Sequence, residues 1–357
     1  MVGRMKYKGS PKGGRHTGNH NRKKSSKKIY SRRRGRLALV VIMAILVVAL
    51  LVVAAGFIVW VLMKQPSKPS ESIPDSSVTS SAVSRVALPT SFLDANTQSK
   101  AVVLYDMTND YVLYTKAGDE RREPASLTKL LTAALACKYA GDDYIFQVGS
   151  EIRFIQSGDS RAWLTSGEQL SLDAILKALL IPSGNDAAYT IAVNLARSVS
   201  GDANLSDTEA VAKFVEMMNS ELAAIGATNS HFSNPDGSHD DNHYTTANDL
   251  LKIVKLAMSY PRITQITALP TVTETVITGQ RHTWTNTNSL LLENKPMYYN
   301  SDVTGLKTGS TPEAGYCLAA SAVKDGRTLI TILLGSETDS GRYEDANGLL
   351  QIGFQNG

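Results

Sequence analysis

The spacing of apolar positions along this chain changes three times. From Leu37 to Met63 there is no charged residue at all, and a run of that length exceeds the roughly 20 residues a helix needs to cross a bilayer. From Lys64 to Ser91 large apolar side chains thin out, and nine serines and four prolines take their place. Such a stretch buries too little surface to offset its chain entropy and is expected to be a tether. Regular periods begin after residue 92. Ala101–Tyr105 and Tyr111–Thr115 are rich in β-branched and aromatic residues on either side of a polar bend, which predicts a hairpin. Leu127, Leu130, Leu131, Ala134 and Leu135 then recur at helical spacing, as do Leu172, Ile175, Leu176, Leu179 and Leu180 behind the cap residue Ser171. Pro182 stops the second helix, and a third is expected from Asp186 to Val199. A fourth runs from Val211 to Ile225, ended by Gly226, and a fifth from Leu250 to Met258 behind Thr246.

The remaining third reads differently. Residues 262–300 are rich in Thr and Val with scattered prolines, which predicts short strands and connections. Gly305–Gly309, Tyr316–Ala322 and Leu329–Leu334 predict three strands, the last two joined at the hairpin dipeptide Asp325-Gly326. Glu344 to Phe354 predicts a closing helix. Strands at both ends of a region with helices between them point to an α+β fold, one antiparallel sheet with helices on its faces.

The formal charge of +4 conceals an asymmetry. Of the 37 Lys and Arg residues, 14 fall in residues 1–36, which hold no Asp or Glu; the remainder carries 23 against 33 acidic residues. The basicity therefore belongs to a tail. Arg32, Arg33, Arg34 and Arg36 crowd one flank of the apolar run, whereas only Lys64 and Lys68 lie near the other. A bias of that sign keeps the tail in the cytoplasm and places everything after the run outside. The run is also longer than the roughly 7–15 apolar residues of a cleaved signal peptide. A single-pass signal anchor in the cell membrane is expected over 37–63, with 1–36 as cytoplasmic tail, 64–91 as linker and 92–357 as an extracytoplasmic domain. The tail suits anionic lipid, and nucleic acid is not expected as a partner. Cys137 and Cys317 both lie in apolar stretches and read equally as a disulfide or as two buried thiols. Neither has a Cys or His neighbour at zinc-ligand spacing. The three histidines of the polar loop 231–243 match no helical ligand pair, so no metal or other cofactor is expected.

Three polar groupings interrupt the apolar pattern. In Pro124-Ala125-Ser126-Leu127-Thr128-Lys129 a serine and a lysine three apart share one helical face at a helix start. Developing negative charge is favoured there, so the pair can seat a serine nucleophile with a lysine as proton acceptor. The same spacing recurs at Ser25/Lys28 and Ser321/Lys324, so spacing alone decides nothing. Ser183-Gly184-Asn185 joins two buried helices; alone it reads as plain turn chemistry before it reads as a hydroxyl and an amide aimed into a cleft. Lys307-Thr308-Gly309, on a late strand, offers an amine, a hydroxyl and a glycine that lets a ligand approach the backbone. The last two groupings each occur once in the chain.

In this order the three groupings resemble those of the penicillin-recognising serine acyltransferases, the penicillin-binding proteins and class A β-lactamases. Within that group the sequence is most similar to the low-molecular-mass, serine-type D-alanyl-D-alanine carboxypeptidases. The likeness runs from residue 92 to the end and rests on Glu123–Lys129, Ser183–Ala187, His243–Leu250, Gly305–Thr311 and Ala314–Leu318. Ser-Gly-Asn in place of Ser-Asp-Asn suits carboxypeptidases better than β-lactamases. Together with the anchor, the expected architecture is a β-lactamase/transpeptidase-like α+β domain preceded by one transmembrane helix.

The resemblance also implies a chemistry. The substrate would be a peptidoglycan stem peptide ending in D-Ala-D-Ala, and β-lactam antibiotics would be covalent inhibitors. Ser126 would be the nucleophile, Lys129 its proton acceptor, and Lys307 a neighbouring charge that depresses the pKa of Lys129. Ser183 would relay a proton to the leaving amine, and Asn185 would position Lys129 and the substrate amide. The backbone N–H groups of Ser126 and Ser310 would hold the oxyanion, while Thr308 and Arg342 would receive the terminal carboxylate on the strand that Gly309 keeps open. Two rivals stand beside this reading. A class A-like β-lactamase needs a deacylating glutamate; the nearest candidate, Glu216, lacks the expected context and reads as a solvated helix face. A non-catalytic penicillin-binding sensor or scaffold needs a cytoplasmic signalling domain, and 36 residues are too few to fold one.

Overall fold

The computed structural model describes residues 93–94 and 96–356. The expected basic tail, apolar anchor and linker lie outside the described residues. Among the described residues no helix is long and apolar enough to cross a membrane.

The hairpin is present as β1 (Ala101–Asp106) and β2 (Tyr111–Lys116), paired antiparallel. A 3₁₀ turn over Ala125–Thr128 leads into α1 (Lys129–Tyr139). Ser126 therefore lies in the tighter turn before the α-helix and not in its first α-turn. Residues 129 to 136 are buried on every side, where the spacing predicted a single apolar stripe. The physical reason is that α1 runs through the middle of the helical layer. A small ribbon, β3 (Ile145–Gln147) with β4 (Gln169–Ser171), precedes α2 (Leu172–Leu180). The side chain of Ser171 caps α2 by accepting from Ala174 N, as its position predicts.

Next come α3 (Asn185–Ser200), α4 (Asp207–Ala224) and α5 (Ala247–Met258). Ser206 and Glu209 form a capping box at the start of α4, and Thr246 caps α5 through Asp249 N. The region expected to hold short strands and connections opens instead with a short helix, α6 (Pro261–Thr267), before the hairpin β5 (Thr271–Thr275) and β6 (Arg281–Thr285). Seven residues span two turns, too few for a helical period to register, and only Ile263, Ile266 and Thr267 are buried. The last strands are β7 (Val303–Thr311), β8 (Gly315–Lys324) and β9 (Arg327–Ser336), followed by α7 (Asp339–Gln355). Asp325 and Gly326 both have positive φ, at 50° and 78°, as a two-residue hairpin matching strand twist requires.

The main sheet has the order β2-β1-β9-β8-β7 and is antiparallel throughout. Its two faces bury separate cores. Val103, Tyr105, Ala319, Ile330 and Ile332 face the layer of α1–α6, whereas Val102, Leu104, Leu318, Ala320 and Leu333 face α7. This doubly buried sheet explains why its central strands read as continuous apolar runs. β7 is an edge strand, and it lies against the 3₁₀ turn that carries Ser126. Cys137 and Cys317 are both free thiols, the first half-buried and the second buried.

At the end of β1, Asp106 is fully buried and accepts from Arg327 Nε at 2.6 Å and from Asn109 N and Nδ2 at 2.9 Å each. Burial opposes its ionisation, but the bonds from Asn109 and Arg327 outweigh that and hold its pKa below the usual carboxylate value. Asp106→Ala strands a guanidinium in the protein interior. It is expected to cost about 3–5 kcal/mol of stability, measured as an earlier denaturant midpoint. A shift within about 0.5 kcal/mol, the range of an ordinary surface substitution, would refute this reading of the pair.

Candidate active site

The turn that carries Ser126 is held in a conformation that an L-residue rarely takes. Ala125 has φ +48°, a left-handed backbone that costs about 1–3 kcal/mol and persists only where its surroundings dictate it. Thr128 Oγ1 donates to Ala125 O at 2.8 Å and lies 2.8 Å from His243 Nε2. Ser233 N–H donates to His243 Nδ1 at 3.1 Å. Nδ1 is therefore the acceptor nitrogen, and Nε2–H donates to Thr128. Buried and stacked on Phe232 with ring centroids 4.6 Å apart, His243 stays neutral, its pKa pushed by burial down to about 3. From another side Gly237, at φ +86°, presses on the turn so closely that a Cβ there would lie 1.9 Å from Ala125 O.

Lys129 is fully buried, and its Nζ has three partners. Ser126 Oγ lies at 2.7 Å, Asn185 Oδ1 at 2.8 Å and the backbone oxygen of Asp236 at 2.8 Å. Two of these are carbonyl oxygens, which only accept. A neutral amine has two N–H groups and one lone pair, so the carbonyls take both N–H groups and the lone pair faces the one partner able to donate, the Ser126 hydroxyl. Burial lowers the Lys129 pKa to about 8, tempered by Asp236, Asp186 and Asp159. The repulsion expected between Lys307 and Lys129 acts on both amines. Lys307 has its pKa pushed well below normal by burial, then by Lys129 and Arg342.

Asn185 begins α3, and its N–H donates to Ser160 O at 2.9 Å. Ser183, two residues earlier, is buried in a left-handed conformation at φ +64°. On β7 Lys307 is fully buried and donates to Thr308 O at 2.9 Å. The Thr308 hydroxyl meets that of Thr287 at 2.6 Å, and Tyr343 OH donates to Thr287 O at 3.1 Å. Arg342 reaches this strand from behind. Its Nη1 donates to the backbone oxygens of Gly309 (3.0 Å) and Cys317 (3.1 Å), and its Nη2 to Asp339 and the Tyr343 hydroxyl. Ser310 is exposed on the same edge. Gly309 crosses the nucleophile's turn closely: a Cβ there would lie 2.8 Å from Ser126 N.

Ser126, Lys129 and Asn185 thus meet directly, Gly309 abuts Ser126, and Lys307 is coupled to Lys129 through its charge. Thr287, Tyr343 and the backbone of Asp236 were not foreseen. No motif marks the first two, and a carbonyl contact leaves no trace in residue type. The loop histidines part company: His231 Nδ1 meets Asn242 O, His243 meets Thr128, and His239 meets Glu123. Glu123, His239 and Glu313 bring ligand-capable atoms within 4.8 Å of one another near the surface, a grouping that exposed acids form without any ion.

The sequence pattern of the D-alanyl-D-alanine carboxypeptidase family matches residues 88–338. The chain belongs to this family. It is 33% identical over 268 residues to a D-alanyl-D-alanine carboxypeptidase of Streptomyces sp. (strain K15), covering 71% of this chain and 87% of that protein. It is 32% identical over 261 residues to D-alanyl-D-alanine carboxypeptidase DacF of Bacillus subtilis (strain 168), covering 72% of this chain and 62% of that one. The chain thus spans less than two thirds of the Bacillus relative's length. The fold superposes on the Streptomyces DD-transpeptidase crystal structure with a TM-score of 0.66 at 29% identity, over 72% of this chain and 98% of that one. It also matches penicillin-binding protein D2 of Listeria monocytogenes in its ampicillin-bound form, with a TM-score of 0.58 at 27% identity and the same coverages.

Gly309→Ala forces β7 away from the Ser126 N–H. The rate at which a fluorescent penicillin acylates the full chain is expected to fall about 100-fold or more, the cost of losing one oxyanion donor. An unchanged rate would show that the strand's close approach has no part in the chemistry.

Proposed function

We propose that this protein is a membrane-anchored serine D-Ala-D-Ala carboxypeptidase that trims the terminal D-alanine from peptidoglycan stem peptides. The observation that carries the proposal is the amine of Lys129, whose two carbonyl partners leave its lone pair for Ser126 Oγ at 2.7 Å. Ser126 Oγ attacks the carbonyl between the two D-alanines, and its proton passes to Lys129. The tetrahedral oxyanion is received by the backbone N–H groups of Ser126 and Ser310. Ser183 relays the proton to the leaving amine, and D-alanine departs. Water then attacks the ester carbonyl, the Ser126 Oγ–carbonyl bond breaks, and the hydroxyl recovers its proton. Thr308 takes the terminal carboxylate, with the guanidinium charge of Arg342 behind it. A β-lactam presents the same carbonyl and remains tethered after attack. The apolar run 37–63 anchors the chain, with the tail cytoplasmic and the catalytic domain outside.

The β-lactamase alternative loses its base. Glu216 lies on α4 with its carboxylate 67% exposed and paired to Lys213 at 2.8 Å. The DD-transpeptidase named among the structural relatives raises a second possibility, that an amine acceptor takes the place of water.

The full chain, purified in detergent, is expected to release free D-alanine from a peptide ending in D-Ala-D-Ala, and Ser126→Ala to release none. A long-lived penicillin adduct without D-alanine release would indicate a sensor. Penicillin hydrolysis at many cycles per second would indicate a β-lactamase, and release only with an added amine a transpeptidase. Because the protonated Lys129 ammonium has no lone pair, kcat/KM is expected to rise with pH through an inflection near the amine's pKa of about 8. Lys129→Arg, which cannot deprotonate, is expected to lose about 10³-fold in kcat/KM. A flat profile between pH 6 and 9 would exclude Lys129 as the base.

A further inference from the structure

The segment 155–165 is laced to the Ser183–Asn185 turn, and it carries an aromatic ring that no step above uses. Asn185 N–H donates to Ser160 O at 2.9 Å. The carboxylate of Asp186 accepts from Ala162 N at 2.9 Å and Leu164 N at 3.0 Å. Trp284 Nε1 donates to Ala162 O at 2.9 Å. Ala162 packs so closely on the turn that a Cβ at Gly184 would lie 2.8 Å from its methyl group. Between the two amides held by Asp186 stands Trp163, at φ +63°. A bulky residue with positive φ is a genuine outlier, and glycine would sit there without strain.

Burial does not explain the choice of tryptophan, because Trp163 is 72% exposed. Arg161 lies 5.9 Å from its ring centroid and is itself tied to the backbone oxygens of Ile155 and Gln156. The backbone that presents this exposed indole is thus held from both sides by the acid that follows Asn185 in the chain. Backbone strain of this kind gathers at ligand clamps, where the surrounding structure sustains it.

We propose that Trp163 is a specificity-determining residue whose indole stacks on the apolar face of a sugar ring in the glycan that bears the stem peptide. The proposal rests on the carboxypeptidase reading above. An isolated aromatic among Gln156, Asp159, Ser160, Arg161 and Thr165 lacks the contiguous apolar core that a protein interface needs. It suits an amphipathic ring, whose C–H face meets the π-face while its hydroxyls meet the polar rim.

The test uses the full chain in detergent and two substrates with the same D-Ala-D-Ala end, a free pentapeptide and a disaccharide pentapeptide. Trp163→Ala is expected to raise KM for the disaccharide substrate about tenfold, a loss of one decade in affinity. The kcat on that substrate and the kcat/KM for the free peptide stay near wild type, and Trp163→Phe keeps most of the preference. Equal effects on both substrates, or none on the disaccharide substrate, overturn the proposal. Acylation by a fluorescent penicillin checks that the variant is folded. Should Trp163→Ala fail that check, a titration decides: peptide-free glycan strands are expected to shift an indole emission that Trp163→Phe lacks, and the absence of a shift overturns the proposal. Failure of the wild type to release D-alanine from either substrate would strike the carboxypeptidase reading instead, and the emission titration would still judge the sugar contact.

Discussion

The constraint on which the rest depends is the burial of an amine with two carbonyl partners and one hydroxyl. A lysine placed in the protein interior is costly as an ammonium, and losing its proton relieves that cost. The surroundings of Lys129 turn the loss into a direction. Asn185 Oδ1 and the backbone oxygen of Asp236 can only accept, so the lone pair is left for Ser126 Oγ. Each partner comes from a different stretch of chain: the 3₁₀ turn, the start of α3 and the loop before α5. The complete burial of α1 from residue 129 to 136 therefore sets the environment of the amine as well as the packing. An amphipathic surface helix would leave its first residue in water, with no burial to lower its pKa.

Holding the hydroxyl in register with that amine takes backbone strain at several places. Ala125 and Ser183 both have positive φ, one beside the nucleophile and one beside Asn185. The conformation at Ala125 is maintained by Thr128, by a neutral His243 whose tautomer is set by Ser233 N–H, and by the bare approach of Gly237. Such supports are cooperative, since a change in one leaves the others without a counterpart. The same logic reaches β7, where Arg342, Tyr343 and Thr287 form a chain of bonds ending on Thr308 and Gly309.

Residue type carried most of the site's members and little of its support. Ser126, Lys129, Asn185 and Gly309 were legible because reactive chemistry restricts which side chains can serve, and three short groupings in a fixed order are hard to meet by accident. The sheet was legible because its central strands are apolar on both faces and the hairpin dipeptide 325–326 needs positive φ. The caps Ser171 and Thr246 were legible for a similar reason, a side-chain oxygen in a defined place. What escaped has no such signature. The 3₁₀ geometry at Ser126 comes from tertiary contacts that override local preference. Helix α6 is too short to show a period. Asp236 acts through a carbonyl that every residue has, and His243 seemed one polar loop residue among many until the fold buried it.

Among the described residues, none of the site's carboxylates is bonded to Lys307, which gives the proposed substrate a second role. Lys307 is fully buried beside Lys129 and Arg342, and both depress its pKa. Its amine donates to a neutral carbonyl, Thr308 O. Asp186 and Asp236 lie nearby, but the first carboxylate is committed to the amides of Ala162 and Leu164 and the second to the Ser238 hydroxyl. On the carboxypeptidase reading, a peptide arriving with a free C-terminal carboxylate at Thr308 supplies the missing counter-charge and raises the affinity of Lys307 for a proton. A peptide whose C-terminus is amidated or extended brings no charge to that spot and leaves Lys307 without it. Selectivity for a terminal residue then follows from electrostatics that exist before the substrate binds, and it needs no pocket shaped to the final methyl group.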